Sequence, residues 1–236
     1  MQLFYNPDIT ASTKSFSFDK EESKHIVKVL RKNVGDLLQI TNGKGWLFTA
    51  TIEANNPKKC TVAITNNAFQ SPRPYQLHLA VAPTKMNDRY AWFLEKATEI
   101  GVTHITPIIC DHSERKTIKL ERFEKIIQAA MKQSLQTYLP ELRPAVLFSE
   151  FINQPFAGNT FIAHCEEQAK KSLKSVLKPE THTTILIGPE GDFSVKEIET
   201  ALKNNFIPVT LGTTRLRTET AAIVACHSLA FINETL

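Results

Sequence analysis

Hydrophobic and polar positions follow two different patterns along the chain, and the change falls near residue 70. Before it, short apolar runs are separated by tight polar turns. We expect strands over residues 37–40, 46–52 and 60–64, and a further short strand that contains Phe16 and Phe18. Several short strands joined by tight turns indicate a small β-barrel.

One helix is predicted within this first region. It begins after Asp19, a capping residue, and continues to Leu30 with Ile26, Val29 and Leu30 on the inward face. Four basic residues recur at the same helical spacing, namely Lys24, Lys28, Arg31 and Lys32. They form either a ridge that faces RNA phosphates or an ordinary solvated surface, and the pattern alone leaves both open.

From Tyr75 onward, strand and helix patterns alternate. An apolar strand over 77–82 is followed by a helix over 87–100, capped by Gly101, and by a strand over 102–109. A longer helix over 120–136 and strands near 145–148 and 160–163 continue the series. The prediction is an α/β fold with a parallel sheet, preceded by the small barrel. Pro72 and Pro74 stiffen the connection, so we expect domains over 1–70 and 71–236.

Two strand-loop-helix units near the carboxyl end carry the most informative loops. In the first, the strand 183–187 runs into a Gly-Pro-Glu-Gly turn at 188–191. A helix comes next, with a capping box at Ser194 and Glu197 and with Val195, Ile198 and Leu202 on one face. In the second, a strand over 206–211 precedes a polar loop and a helix from about Glu219. Parallel sheets bind ligands beyond the carboxyl ends of their strands, so the sequence predicts a ligand site here.

The last helix is apolar on nearly every side from Ala221 to Ile232. Such a helix must be covered on more than one face. A second subunit is one way to cover it.

Composition narrows the class of protein. The chain is 42% hydrophobic with a net charge of +4, which permits an RNA partner without requiring one. Its four cysteines form no Cys-x-x-Cys pair, so we expect reduced thiols rather than zinc or disulfides. Neither a membrane-length apolar run nor an export signal is visible, and we expect a cytoplasmic protein without a membrane partner.

The glycine turn at 188–191 matches no standard nucleotide fingerprint. Few basic residues lie near it in the sequence, which favours a ligand held by backbone groups, such as a nucleoside. The alternative is an ordinary β-turn that joins a strand to a helix. His164, followed by Glu166 and Glu167, lacks a second histidine at ligand spacing, so we expect no metal and place His164 at the rim of the ligand site.

Four ordered motifs carry a family resemblance. They are His-Ile-Val-Lys-Val-Leu-Arg at 25–31, Lys-Ala-Thr-Glu-Ile-Gly-Val at 96–102, Leu-Ile-Gly-Pro-Glu-Gly at 186–191, and Leu-Gly-x-x-x-Leu-Arg-Thr-Glu-Thr-Ala at 211–221. Over essentially its whole length, the chain resembles the small-subunit ribosomal RNA uridine N3-methyltransferases of the SPOUT superfamily.

This resemblance implies a PUA-like barrel that helps to hold RNA. Because it includes Arg31, it favours the phosphate-facing interpretation of the basic ridge, and we expect Lys28, Arg31 and Lys32 as RNA contacts. It also implies a carboxyl-terminal domain threaded into a trefoil knot, with S-adenosylmethionine bound in the knot and a homodimer formed around it. The expected substrate is small-subunit (16S) ribosomal RNA, free or in the assembled subunit. The implied cofactor contacts are Ile187, Gly188, Pro189, Glu190, Gly191, Leu211, Gly212, Leu216, Arg217 and Thr218.

Two positions depart from the family pattern. The family commonly has Glu-Gln-Ser-x-Arg in the long helix, where this chain has Lys132 and Gln136 at the charged positions. The glycine loop usually ends Glu-Gly-Gly, and here Asp192 replaces the last glycine. Aspartate tolerates unusual backbone angles better than most residues, so we expect the fold to persist.

Methylation of uracil N3 requires removal of a proton and stabilisation of the resulting anion. Arg217 is the candidate cation, and Glu190 or Glu219 the candidate proton acceptor. Arg217 could instead pair with Glu219 or cap a carbonyl, and either glutamate could serve a helix start. Two other functions stay open, a noncatalytic RNA-binding or assembly factor and a SPOUT enzyme that methylates another RNA position.

Overall fold

The computed structural model describes residues 2–234, which form two compact units. The first extends to Pro72 and also contains Met131–Leu139. The second comprises Arg73–Ala130 and the residues from Pro140 onward. Up to Pro72 the elements are β1 (Leu3–Tyr5), β2 (Ser15–Ser17), α1 (Lys20–Lys24), a π-helical turn (His25–Val29), β3 (Leu37–Thr41), β4 (Trp46–Asn56) and β5 (Lys59–Phe69).

The strands of the first unit form one five-stranded sheet in the order β1-β3-β4-β5-β2. The long strands β4 and β5 pair antiparallel, with register shifts after Thr49 and Ile52 that bend the sheet. The rings of Phe4, in β1, and Phe18, just after β2, lie 5.5 Å apart over the core. The two edges of the sheet therefore curl toward each other, as the sequence predicts for a small barrel.

The helix expected from Asp19 to Leu30 is regular only in its first part. Asp19 caps this helix as predicted, because its carboxylate accepts a hydrogen bond of 2.8 Å from the backbone N–H of Glu22. After Lys24 the backbone widens into the π-helical turn, in which Leu30 donates to the carbonyl of His25. This wider turn rotates Val29 outward, so its predicted inward position is wrong and the side chain is 65% exposed.

The long helix predicted over 120–136 ends earlier, at Gln133, and Leu135 adopts a left-handed backbone with φ of 58°. The residues after it join the first unit. Thr137 accepts from the N–H of Gly45 at 3.0 Å, and Leu139 donates to the carbonyl of Gly43 at 2.9 Å. Lys132, one of the departures from the family pattern, pairs with Glu22 at 2.8 Å.

The remaining elements are β6 (Leu77–Val81), α2 (Asn87–Ile100), β7 (His104–Ile109), α3 (Leu120–Gln133), β8 (Glu141–Leu142), β9 (Val146–Leu147), α4 (Phe148–Phe151), β10 (Asn159–Ala163), β11 (Lys171–Ser172), α5 (Leu173–Val176), β12 (Thr183–Ile187), α6 (Val195–Lys203), β13 (Ile207–Thr210) and α7 (Thr218–Ile232). The predicted bounds of α2 and β12 are confirmed. Gly101 caps α2 in the left-handed region with φ of 111°, as expected.

These strands form a parallel sheet in the order β11-β13-β10-β12-β6-β7-β8, with β9 also paired to β7. The α/β prediction is confirmed. Strands that are consecutive in the chain are not always neighbours, since β10 lies between β12 and β13. Helices α2 and α7 pack together, and α7 also contacts β6 and β12.

The capping box at the start of α6 is present, because Ser194 and Glu197 bond to each other's backbone N–H groups. The predicted apolar face of this helix is wrong in part. Ile198 and Ala201 are buried, whereas Val195 and Leu202 are exposed. The buried face is completed by Glu197, which also accepts from the N–H of Asp111 at 3.0 Å. A polar bond thus replaces the expected apolar contact.

None of the helices formed by residues 2–234 is long and apolar enough to cross a membrane.

Candidate functional site

A cleft opens at the carboxyl edge of the parallel sheet, where β12, β10 and β13 end side by side. Ala163, at the end of β10, is in register with Ile187 of β12 and with Val209 of β13. These three residues form the floor of a cavity of about 360 Å³. The walls come from the loops after each strand and from the first turns of α7, and the other lining residues are His164, Cys165, Gly188, Pro189, Glu190, Asp192, Thr210, Leu211, Gly212, Thr214, Arg215, Leu216, Arg217, Thr218 and Ala221.

Nine of the ten residues predicted as cofactor contacts line this cleft, and Gly191 does not. Gly191 lies against His112 of the loop after β7. A Cβ atom at this glycine would lie 3.0 Å from the Cβ of His112. The Nδ1 atom of His112 is also 2.9 Å from the carbonyl oxygen of Gly191. The glycine therefore allows His112 to pack directly on the turn from outside the cleft.

Gly188 connects the glycine turn to the last helix. A Cβ atom at this position would come within 3.0 Å of the Phe193 ring, so the turn is tightly packed. The hydroxyl of Thr218, the first residue of α7, donates to the Gly188 carbonyl at 3.0 Å. The two loops that the sequence singled out are thus hydrogen-bonded to each other.

Asp192 adopts the left-handed conformation expected for a replaced glycine, with φ of 61°. Its carboxylate accepts from the backbone N–H of Cys165 at 2.7 Å and from that of Phe193 at 2.9 Å. The first bond ties the glycine loop to the segment after β10. Asp192 consequently supplies a connection that a glycine at this position could not form.

Glu190 is exposed at the cleft, and its Oε1 atom accepts from the backbone N–H of Lys85 at 2.9 Å. Lys85 in turn pairs with Glu114 at 2.8 Å, and Arg115 donates to the Lys85 carbonyl at 2.8 Å. The loops after β6, β7 and β12 are therefore braced against one another. The second carboxylate oxygen of Glu190 is outside this network of bonds.

The two other candidates for the chemistry lie in different environments. Arg217 is exposed at the mouth of the cleft, and its side chain makes no capping bond to α7. Glu219 is only 7% exposed, does not line the cleft, and lies 3.8 Å from Arg89. The alternative pairing of Arg217 with Glu219 is not formed, and the basic side chain near Glu219 is that of Arg89.

His164, expected at the rim, belongs to the deeper part of the cleft and is 7% exposed. Neither ring nitrogen has a hydrogen-bond partner among residues 2–234. Burial, with Lys170 nearby, lowers the pKa of His164 below its ordinary value. The ring is therefore a neutral imidazole near neutral pH, with one donor and one acceptor that the protein does not use.

The three predicted RNA contacts lie at the end of the π-helical turn in the first unit. Lys28 and Arg31 are exposed, and Arg31 takes a left-handed backbone with φ of 54°. Lys32 lies 4.0 Å from Asp36. The π-helical turn breaks the even helical spacing that the sequence suggested for these residues.

Sequence reasoning missed part of the cleft, above all Ala163, Cys165 and Val209. They belong to β10, β13 and the residues just after β10, and the parallel pairing of these two strands brings them beside β12. Their apolar pattern predicts strands but not which strands are neighbours. Among residues 2–234, no three His, Cys, Asp or Glu side chains form a group that could hold a metal ion.

Comparison with known proteins gives a consistent result. The family profile for the RNA methyltransferase domain matches residues 71–230, and the one for the RNA methyltransferase PUA domain matches residues 18–65. The ribosomal RNA small subunit methyltransferase E of Buchnera aphidicola is 31% identical over 223 residues, which cover 91% of this chain and 87% of the relative.

Solved structures agree with the sequence matches. A probable rRNA-methyltransferase from Porphyromonas gingivalis superposes with a TM-score of 0.92 at 40% identity, covering 99% of this chain and 98% of that one. A ribosomal RNA small subunit methyltransferase E from Neisseria gonorrhoeae, solved bound to S-adenosylmethionine, superposes with a TM-score of 0.87 at 26% identity and the same coverage. By sequence and by structure, this chain belongs to the ribosomal RNA small subunit methyltransferase E family.

Proposed function

We propose that the protein is an S-adenosylmethionine-dependent methyltransferase that methylates N3 of a uridine in small-subunit (16S) ribosomal RNA, in the cytoplasm. The observation that carries this proposal is the cleft at the ends of β10, β12 and β13, where nine of the ten residues implied by the family resemblance meet. A position at the carboxyl edge of a parallel sheet is where such folds bind ligands. The trefoil knot expected of SPOUT enzymes is part of the same proposal.

The cleft fits the methyl donor in size and in chemistry. Its volume of about 360 Å³ lies in the range of small-molecule sites, and Ile187, Val209 and Leu216 give it apolar walls suited to a flat base. Gly188 and Gly212 keep the backbone accessible to a ligand. His164 adds an unused donor and acceptor. When bound, S-adenosylmethionine supplies an electrophilic methyl group.

Two residues at the opening of the cleft stabilise the uracil anion and accept its proton. The Arg217 guanidinium stabilises the negative charge that develops on the uracil oxygens as N3 loses its proton. Glu190 is the better placed of the two carboxylates, because it lines the cleft whereas Glu219 is buried outside it beside Arg89. The Glu190 carboxylate accepts the N3 proton, and the nitrogen lone pair that remains would take the methyl group as its bond to the donor sulfur breaks, with that electron pair passing to sulfur.

The first unit contributes RNA binding in this proposal, within the domain expected over residues 1–70. Lys28 and Arg31 project into solvent, Lys28 from the π-helical turn and Arg31 just after it, where they can reach phosphates. The RNA methyltransferase PUA profile covers both residues. Lys32 has Asp36 as a neighbour and contributes less charge to such a surface.

A homodimer completes the proposal. Helix α7 is apolar on most of its sides, and Phe231 near its end is 63% exposed. Trp92 on α2, the helix packed against α7, is also exposed. Large apolar side chains on two adjoining helices are suited to cover each other in a second copy. Sedimentation of the wild type and of Phe231→Glu tests this, with a shift toward monomer expected in the variant.

The decisive experiment measures the product. Ribosomal RNA from a strain that lacks this gene should lose 3-methyluridine at one position of the small-subunit RNA, as detected by mass spectrometry of nuclease fragments. Return of the wild-type gene should restore the modification, whereas Arg217→Ala should not. Unchanged 3-methyluridine in the deletion strain contradicts the assigned product, and loss of a different methylated nucleotide identifies another RNA position.

A calorimetric titration separates the enzyme from a noncatalytic RNA-binding factor. The enzyme must bind S-adenosylmethionine, and its product S-adenosylhomocysteine, in the purified state. Absence of binding of both by folded wild-type protein would contradict catalysis.

A further inference from the structure

His164 is an unusual polar residue, because it is buried and yet its side chain makes no hydrogen bond within residues 2–234. Both ring nitrogens are closed off from water and lack a partner in the part of the chain that the structure describes. Buried polar groups in folded proteins are nearly always bonded, so an exception calls for a physical explanation. A buried polar group without a partner costs stability, and an apolar side chain of similar shape in its place removes that cost.

The position of the ring suggests the explanation. His164 directly follows Ala163, the central residue of the cleft floor, which is in register with Ile187 on one side and Val209 on the other. It is therefore one residue beyond the middle strand of the three whose ends form the cleft. A ligand that fills the cleft must lie against this residue.

The backbone around His164 is held firmly. The ammonium of Lys170 donates to the His164 carbonyl at 3.0 Å and to that of Glu166 at 2.7 Å. On the other side, Asp192 accepts from the N–H of Cys165 at 2.7 Å. These bonds engage the backbone on both sides of the ring, and none of them involves the imidazole.

We propose that the imidazole of His164 hydrogen-bonds the nucleoside part of the methyl donor, and that the ring lacks a partner in the free protein because the ligand supplies it. This inference rests on the proposed function and names the part of the ligand that the residue recognises. Since its nitrogens are shielded in the free protein, the ring turns about its Cβ–Cγ bond as the ligand enters.

The charge of the ring selects the nucleoside over the amino-acid part. A neutral imidazole presents one N–H donor and one lone pair, which match ribose hydroxyls or the edge of adenine. A carboxylate would meet that lone pair unfavourably and is better bound by cations or several N–H groups. The apolar side chains of Ile187 and Val209 beside His164 likewise suit a flat base.

The test uses His164→Leu in the full-length protein, with two readouts that do not depend on activity. The midpoint temperature of thermal unfolding, measured without ligand, should rise by about 2–4 °C, because an unbonded polar group is removed. Calorimetric affinity for S-adenosylhomocysteine should fall about tenfold or more, and affinity for methylthioadenosine, which lacks the amino-acid part, by the same factor. His164→Gln, which retains a donor and an acceptor, should recover part of the affinity.

His78→Leu is the matched control, since His78 is a partly buried histidine outside the cleft that has a partner, Thr106, at 2.7 Å. It should lower the unfolding temperature and leave both affinities unchanged. The NMR resonances of the His164 ring nitrogens in the wild type report directly on hydrogen bonding by the ring. They should shift when S-adenosylhomocysteine saturates the protein.

Each outcome decides one proposal. Equal affinities of wild type and His164→Leu, or ring resonances that do not move on saturation, overturn the role of His164 while the enzyme proposal stands. A loss of affinity for S-adenosylhomocysteine without one for methylthioadenosine overturns the nucleoside assignment. Wild-type protein that binds neither compound contradicts the proposed function itself.

Discussion

His78 and His164 lie at opposite edges of the same parallel sheet and differ in their side-chain hydrogen bonding. His78, near the start of β6, has Thr106 at 2.7 Å and stacks edge-on against Phe151 at 5.4 Å. His164, just beyond the end of β10, is more deeply buried and has no partner in the described residues 2–234. At the amino edge a histidine serves the structure. At the carboxyl edge, both ring nitrogens of the histidine are left unpaired, as the role proposed for His164 requires.

The comparison predicts that changes at the amino edge alter stability and that changes at the carboxyl edge alter binding or turnover. Gly158→Ala at the amino edge should have the largest effect. Gly158 has φ of 78°, and a Cβ atom there would overlap the carbonyl oxygen of His182. We expect the free energy of unfolding in urea to fall by about 3 kcal/mol. Affinity for S-adenosylhomocysteine should not change.

Gly35→Ala is the control for backbone strain, because Gly35 has φ of 91° and a Cβ atom added there would point into open space. It should cost only about 1 kcal/mol. Equal losses in the two variants would show that backbone strain, rather than the overlap with His182, determines the cost.

Arg217→Ala at the carboxyl edge should have the next largest effect, on turnover alone. Loss of the guanidinium removes charge stabilisation in the transition state, and we expect about a 100-fold lower kcat with S-adenosylhomocysteine affinity within about twofold. Steady-state methylation at saturating small-subunit RNA measures the first quantity and calorimetry the second. Arg217→Lys keeps the charge and should recover part of the rate. Parallel losses of rate and affinity would assign Arg217 to the structure of the loop.

His78→Gln should change how stability depends on pH. Burial, with Arg143 and His104 nearby, lowers the pKa of His78 to about 3 from its ordinary value of 6.5. The unfolded chain therefore binds a proton between these values that the folded protein does not, and stability falls as the pH drops through this window. One such group contributes up to about 1.4 kcal/mol per pH unit, and less near pH 6.5, where the unfolded histidine is half protonated, so the variant should lose about 1.6 kcal/mol less than the wild type between about pH 6.5 and 5.

Urea unfolding of both proteins at several pH values measures this difference. At pH values above about 7 the two should differ by a constant amount, because His78 is neutral in both the folded and the unfolded state there. Parallel pH profiles throughout would show that the protonation of His78 does not contribute.

Asp192→Gly should have the smallest effect, and it acts on the cleft. Glycine accepts the left-handed backbone at this position, but the bond from the Cys165 N–H to the carboxylate is lost. The segment that carries His164 is then less firmly held, and we expect affinity for S-adenosylhomocysteine to fall about threefold. Asp192→Asn retains an acceptor and should bind like the wild type. If both variants bind equally well, the connection through Asp192 does not position the cleft.

The parts of the fold that the sequence predicted are those set by local patterns. The bounds of α2 result from its apolar spacing and from Gly101, and the capping box of α6 from Ser194 and Glu197. The glycine turn and the loop before α7 were identified for the same reason, since their residue types require particular backbone geometry or close contact.

The features that the sequence did not predict depend on contacts between distant residues. The placement of β10 between β12 and β13 brings Ala163 and Cys165 into the cleft, and no pattern within one strand encodes its neighbours. The π-helical turn that exposes Val29 is a local geometry without a distinct periodic signal. The packing of Thr137 against Gly45 likewise depends on a bond between segments far apart in the chain.

The hydrogen bond from Thr218 to the Gly188 carbonyl joins the cleft to the helix that bears the exposed Phe231. A movement of α7 on association of two copies would therefore change the position of the glycine turn. In the proposed dimer, association and donor binding would then be linked equilibria, in which each changes the other by the same factor. The apparent dissociation constant of the methyl donor would vary with protein concentration, in the range where monomers and dimers coexist.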